Sequence, residues 1–282
     1  MQISRCGLDQ LADFANIRVQ QDPSEFICCL VTFMEAAIKT PGPPPALSHL
    51  SSALLSRVPA AQRAKAEAVV AGLQQQHRCP LSDLLRHSVV HTTTCAAGHM
   101  AVQHESRLMM RVHLDRDAGE CAPWGGEAPE TLQEALERGF GPEPLPDCRC
   151  DVPGCQHSRT KCEAVCTLPP LLVVQVLRSR FNRATLKMEK VTAELDIPEV
   201  LDVAPICDSA LAAALCVPRQ SKYLLRGMCH HDGSDATGGH YWATCRGGLD
   251  GVWRRYDDAE VAEAACPAGR DATGYLLFYE RL

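Results

Sequence analysis

The chain has 282 residues, of which 46% are hydrophobic and 22% charged, and its net charge is −6. That supplies a core for one large domain or two ordinary ones, and the acidic balance argues against the basic surface that nucleic-acid binding requires. No apolar run reaches the roughly 18 residues of a membrane span, and Met1 to Asp9 carries no apolar leader core, so the sequence reads as that of an intracellular protein of cytoplasm or nucleus.

The first element is predicted from Asp22 to about Lys39. Asp22 can cap it, Pro23 suits its first turn, and Glu25 follows the cap by three residues. Phe26, Cys29, Leu30, Phe33 and Met34 then recur at helical spacing. Pro41 to Pro45 breaks the pattern, and Ala60 to Gln76 reads as a second helix of the kind an insertion adds. Beyond Leu84 the texture turns to strands at Val89–Thr94 and Leu108–Leu114. A loop from Gly119 to Pro129 precedes a short helix, Thr131 to Arg138, with Leu132 and Leu136 on one face. Asp147 to Cys166 reads as a cysteine-rich turn. Strand signals return at Leu171–Val176, Tyr223–Cys229, His240–Cys245 and Tyr275–Tyr279. Helices first and strands after argue for an α+β fold.

The 16 cysteines are many for a chain without a leader, so a metal site plus ordinary buried thiols is expected rather than disulfides. Cys28 and Cys29 fall within the first helical pattern and read as packing residues. Cys95 is followed by Gly98 and His99, and some fifty residues later come Cys148, Cys150, Cys155 and His157. Two close pairs on tight turns, separated by a long excursion, are how a zinc ribbon is built. The expected ligands are Cys95, His99, Cys150 and Cys155 around one structural zinc, although neither pair has regular CxxC spacing.

A second constellation pairs His240, in Gly238-Gly239-His240-Tyr241-Trp242, with Asp257 seventeen residues on. A hairpin could set them side by side. A carboxylate on imidazole Nδ1 would fix the tautomer and stabilise the imidazolium, which could activate a thiol and later protonate a leaving amine. The two glycines would let a substrate backbone approach.

These residues resemble the ubiquitin-specific protease family of cysteine deubiquitinases. Gln20-Gln21-Asp22-Pro23-Ser24-Glu25-Phe26 is similar to the family's QQDAxEF helix start, and Leu168 to Phe181 to its LPxxLxxxLxRF strand. Tyr223–Leu225, Gly239-His240-Tyr241 and Tyr256-Asp257-Asp258 resemble the histidine box, and Tyr275–Tyr279 the closing strand. The motifs stand in the family's order from residue 20 to the end. The resemblance implies a papain-like fold: thumb remnants and an insertion over 1–83, zinc-ribbon fingers over 84–166, and a palm over 167–282. It also implies hydrolysis of the isopeptide bond after the C-terminal glycine of ubiquitin. His240 would be the general base and acid, Asp257 its orienting partner, and Asp22, Gly238 and Gly239 contacts for the ubiquitin tail. Ubiquitin and ubiquitinated proteins are the expected partners, with no nucleic acid and no membrane.

The family's cysteine box, roughly GLxNLGNTCYxN, has no counterpart in the sequence. Cys6 lies too near the first helix, and Cys245, five residues past His240, should face the other side of its strand. The expectation is therefore an N-terminally truncated catalytic domain with no identifiable nucleophile, inactive by itself. A non-catalytic ubiquitin-binding scaffold and an unrelated papain-like thiol protease are the alternatives.

Overall fold

The computed structural model describes residues 22–37, 60–75, 80–114, 129–182, 185–208, 220–233 and 238–282. Cys6, Gln20, Gln21, the Pro41–Pro45 break, Cys121 and most of the 119–129 loop lie outside them.

Helix α1 spans Pro23–Ala37. Asp22 caps it as expected: the Ser24 amide donates to Asp22 Oδ1 at 2.7 Å, and the Phe26 amide donates to the Asp22 carbonyl oxygen. Helices α2 (Ala60–Gln75) and α3 (Pro80–Leu85) follow. Ala66 and Val70 of α2 are buried, and the helix lies against two strands, β1 (His87–Cys95) and β2 (Met100–Arg107). The segment thus packs as part of the body.

β1 and β2 form a hairpin within an antiparallel sheet of order β2-β1-β6-β5, where β5 is Glu143–Arg149 and β6 is Ser158–Thr167. The stretch read as a cysteine-rich turn is therefore mostly strand. Its polar residues hid the alternation: Lys161 and Glu163 sit on the face where Glu163 meets His91 and Arg107 from the neighbouring strands.

The larger sheet runs β15-β14-β13-β12-β17-β7-β3, with β11 (Val200–Asp202) also paired to β12. Here β3 is Met109–His113, β7 Leu171–Leu177, β12 Lys222–Asp232, β13 His240–Arg246, β14 Trp253–Asp257, β15 Glu260–Glu263 and β17 Gly274–Arg281. β3 lies parallel to β7, so the 84–166 stretch is divided: its middle returns to the large sheet. Strand β4 (Glu130–Thr131) leads into helix α4 (Leu132–Phe140), which opens with a reciprocal cap between Thr131 and Glu134.

β7 is apolar on both faces because both are covered. On one, Leu172, Val174 and Val176 pack with Leu277, Tyr279, Met228 and Trp253 under Leu132 and Leu136 of α4. On the other, Val173, Leu276 and Met109 meet Val31 of α1 and Leu85 of α3. Each such side chain contributes about 1.5–3 kcal/mol on burial. The two cores fix the large sheet between helices, and its β15 edge is exposed. Next to β7, a short hairpin joins β8 (Ser179–Asn182) to β9 (Lys187–Lys190), and β10 (Leu195–Ile197) pairs with β16 (Gly269–Asp271). Buried Arg178 ties these parts together by donating to the carbonyl oxygens of Gly274, Ala193 and Asp271.

Candidate active site and metal centre

The register of β13 against β14 places Ala243 opposite Tyr256. One pair further on, Trp242 faces Asp257, and His240 is the diagonal neighbour on the same side of the sheet. The side chains meet: His240 Nε2 lies 2.5 Å from Asp257 Oδ1. The expected hairpin pairing is there, but the carboxylate takes Nε2 rather than Nδ1, which leaves Nδ1 as the nitrogen available to a thiol. His240 stays 48% exposed and Asp257 25%. The hydrogen bond to Asp257 raises the imidazole above its ordinary proton affinity, and His240 followed by Arg255 holds Asp257 below the usual carboxylate range.

Three further residues support the dyad. Arg255 Nη2 donates to Asp257 Oδ2 at 2.6 Å, and its guanidinium lies 4.8 Å over the Trp242 ring. Trp242 in turn stacks on His230, with centroids 5.0 Å apart and planes 3° from parallel. His230 is buried between Thr273 Oγ1 at 3.0 Å and Thr244 Oγ1 at 3.2 Å, and burial keeps its proton affinity low, so it stands neutral beneath the site. Period-two reading of Trp253, Arg255 and Asp257 could have placed Arg255 beside the carboxylate.

Among the described residues, no thiol is hydrogen-bonded to His240. Cys245 falls on the other face, as its odd offset from His240 requires, and burial pushes its thiol up.

Gly239 enters β13 at φ +151, and a Cβ there would collide with the Asp232 carbonyl oxygen and His231 Nε2. Only glycine fits this close approach. His231 stacks on Tyr241 at 4.4 Å and receives Lys190 Nζ on Nδ1 at 2.9 Å. Asp22 lies on the Tyr241 side of the sheet, where the Tyr275 hydroxyl sits 2.7 Å from its Oδ2 and receives the Gln175 amide at 2.9 Å. Tyr275 packs 6.0 Å from Tyr241. The structure thus connects Asp22 to the strand of His240 through two aromatic rings. Asp232 is the residue opposite His240 on β12.

Far along β1, Cys95, His99, Cys150 and Cys155 converge, with their ligand atoms within 4.8 Å of one another. Two tight turns build the group. In the first, the Cys95 amide donates to the His99 carbonyl oxygen and the amide of Gly98, at φ +82, donates to the Cys95 carbonyl oxygen. In the second, the Cys155 amide donates to the Val152 carbonyl oxygen ahead of Gly154 at φ +84. Cys95 Sγ is 3.6 Å from His99 Nδ1 and 3.8 Å from Cys155 Sγ, and Cys150 Sγ is 3.5 Å from His99 Nδ1. The Val152 amide, with help from His99 and Arg159, lowers the Cys150 thiol to about 6. These four residues could hold a metal; Cys148 is exposed and outside the group.

The dyad, the two-core sheet and the Cys/His group define a papain-like α+β fold of the cysteine-protease type, and comparison with known proteins names its family. The family model described as ubiquitin carboxyl-terminal hydrolase matches residues 7–279. The chain belongs to that family, the cysteine deubiquitinases. It is 24% identical over 247 residues to ubiquitin carboxyl-terminal hydrolase 26 of Arabidopsis thaliana, covering 87% of this chain and 19% of the relative. It is 30% identical over 171 residues to ubiquitin carboxyl-terminal hydrolase nonstop of Drosophila melanogaster, covering 60% of this chain and 33% of that one. Among solved structures, it resembles the SAGA Ubp8/Sgf11/Sus1/Sgf73 DUB module bound to ubiquitin aldehyde. The TM-score is 0.64 at 19% identity, over 94% of this chain and 50% of that one. The chain therefore spans at most a third of these two curated relatives and half of that solved chain. Among the described residues, no helix is long and apolar enough to cross a membrane.

Proposed function

We propose that the chain forms the fingers, the palm and part of the thumb of a deubiquitinase acting on ubiquitin conjugates, with the boundaries near 84 and 167 given by the sequence. The observation that carries this reading is the 2.5 Å contact between His240 Nε2 and Asp257 Oδ1. It leaves Nδ1 to take the proton of a cysteine thiol as the sulfur attacks the carbonyl carbon of the ubiquitin C-terminal glycine. The same proton then passes from Nδ1 to the departing lysine amine as the isopeptide C–N bond breaks. Water, deprotonated by the imidazole, hydrolyses the thioester and returns the thiol. Asp257 keeps the ring oriented and balances the imidazolium in both halves.

Gly238 and Gly239 supply the narrow approach for the tail, and Asp22, across the Tyr241–Tyr275 pair, supplies a negative group for its basic residues. Among the described residues no thiol reaches His240, and a segment carrying the family's cysteine motif would supply one. The four-residue group suits zinc. A tetrahedron with Zn–S of about 2.3 Å and Zn–N of about 2.0 Å has S···S edges of about 3.8 Å and S···N edges of about 3.5 Å. The observed 3.8, 3.6 and 3.5 Å reproduce these edges. Zinc there would tie the β1–β2 turn to the β5–β6 turn.

Titration of ¹⁵N-ubiquitin with the 282-residue chain tests the reading. Perturbations should concentrate in the ubiquitin C-terminal tail and weaken in the Asp22→Lys variant. A tail that does not respond would remove ubiquitin as the ligand.

A further inference from the structure

Arg255 is two residues from Asp257 on β14 and shares its face of the sheet. A solvated arginine there would have no fixed direction. This one is fixed twice: the planar guanidinium lies on the Trp242 indole at 4.8 Å, and its Nη2 reaches Asp257 Oδ2 at 2.6 Å. The indole is itself stacked on buried His230, which Thr244 and Thr273 hold from either side. A rigid column therefore runs from the palm core through His230, Trp242 and Arg255 to the outer oxygen of Asp257, whose inner oxygen meets His240.

We propose that Arg255 is a positioning residue of the dyad: stacked on Trp242, it locks the Asp257 carboxylate in the rotamer that engages His240 Nε2 and withholds part of that carboxylate's charge from the imidazole.

Both effects follow from the geometry. A carboxylate on an exposed strand can turn about its χ torsions, and a second donor on the far oxygen removes that freedom. The stack selects arginine, because a lysine ammonium cannot lie flat on the ring and fork to an oxygen at once. The charge effect matters because a thiol is deprotonated only by a neutral imidazole. Facing His240 are Asp257 and Asp258, which favour the imidazolium, Arg255, which opposes it, and Asp232 across the strand pair. Arg255 is the one cation among these facing groups. The two hydrogen bonds place its charge on the order of 7 Å from the imidazole, where water-like screening still changes proton affinity about threefold.

The inference rests on the dyad reading, and its test reads His240 directly, without requiring turnover. The imidazole Cε1–H resonance of His240 is followed by NMR against pH in the 282-residue chain and in Arg255→Met, Arg255→Lys, Trp242→Leu and Asp257→Asn. Arg255→Met should raise the proton affinity of His240 by up to about threefold where Asp257 stays engaged, and a fall towards the Asp257→Asn value would show the carboxylate released from its rotamer. Trp242→Leu should move it in the same direction, and Arg255→Lys should move it less than Arg255→Met. Asp257→Asn should lower it. If Asp257→Asn lowers it while Arg255→Met and Trp242→Leu leave it in place, the dyad stands and the role of Arg255 is refuted. If Asp257→Asn has no effect, the dyad reading fails as well.

Discussion

Replacing His87 by leucine should make the protein less sensitive to acid. His87 opens β1 fully buried, and neither ring nitrogen has a hydrogen-bond partner. Burial, seconded by the charge of Arg107, pushes its pKa from 6.5 to about 3. A histidine held neutral in this way contributes stability that is intact above its unfolded pKa. That stability is lost as the pH falls through 6.5 towards 3, because the unfolded chain takes up a proton the folded one refuses. Between pH 7.5 and 5.5 the loss from this one residue is about 1.4 kcal/mol, and each further unit costs about the same until the folded pKa is reached. In His87→Leu that part of the slope disappears, while the half-buried His104 and the buried His230 remain in both proteins and cancel. The variant should also be no less stable at pH 7.5, since two unpartnered polar atoms leave the core and a residue of similar size replaces them. Urea unfolding of both proteins at pH 7.5 and 5.5 gives the comparison. A stability gap that fails to widen by about 1 kcal/mol or more on acidification would refute the account of His87 as a neutral, unpartnered core residue.

The remaining predictions concern the two sites. Protein purified without chelator should carry close to one zinc per chain. Cys155→Ser should lose it together with thermal stability, and zinc retained after Cys150→Ala would point to Cys148 as the ligand instead. Gly239→Ala should weaken ubiquitin binding without unfolding the sheet, because its Cβ meets the Asp232 carbonyl oxygen and His231; unchanged affinity by calorimetry would show that this approach is not used. Tyr275→Phe removes the hydroxyl that joins Asp22 to Gln175, leaving a buried amide short of a partner, at a cost of about 1–3 kcal/mol in chemical denaturation.

Much of this was legible in the sequence because periodicity and spacing report local geometry. Asp22-Pro23 wrote the start of α1, Leu132 and Leu136 the buried face of α4, and the run from Leu171 to Val176 a strand covered on both sides. The Cys/His spacing was enough to pick out, among many cysteines, the four residues whose side chains converge. What escaped depends on long-range pairing. β6 hid among polar residues because one face carries Lys161 and Glu163, which pair with each other while Glu163 also meets His91 and Arg107 from other strands. β3 was read as a strand but not as a parallel partner of β7, since nothing local encodes its neighbour. The nitrogen of His240 that meets Asp257 depends on the diagonal register of β13 and β14. The column beneath the dyad needed three strands in place before Trp242, His230 and Arg255 could be seen to touch.

His240, oriented by Asp257, is proposed as the base of a ubiquitin-cleaving thiol site. The most direct measurement joins a segment carrying the family's cysteine motif to this chain and follows release of a fluorophore from the ubiquitin C-terminus. The account predicts no turnover by the 282-residue chain alone and turnover by the joined protein. It also predicts a loss of several orders of magnitude in His240→Ala and a smaller loss in Asp257→Ala. Turnover by the joined protein that persists in His240→Ala, or cleavage by the chain alone through one of its own thiols, would contradict it.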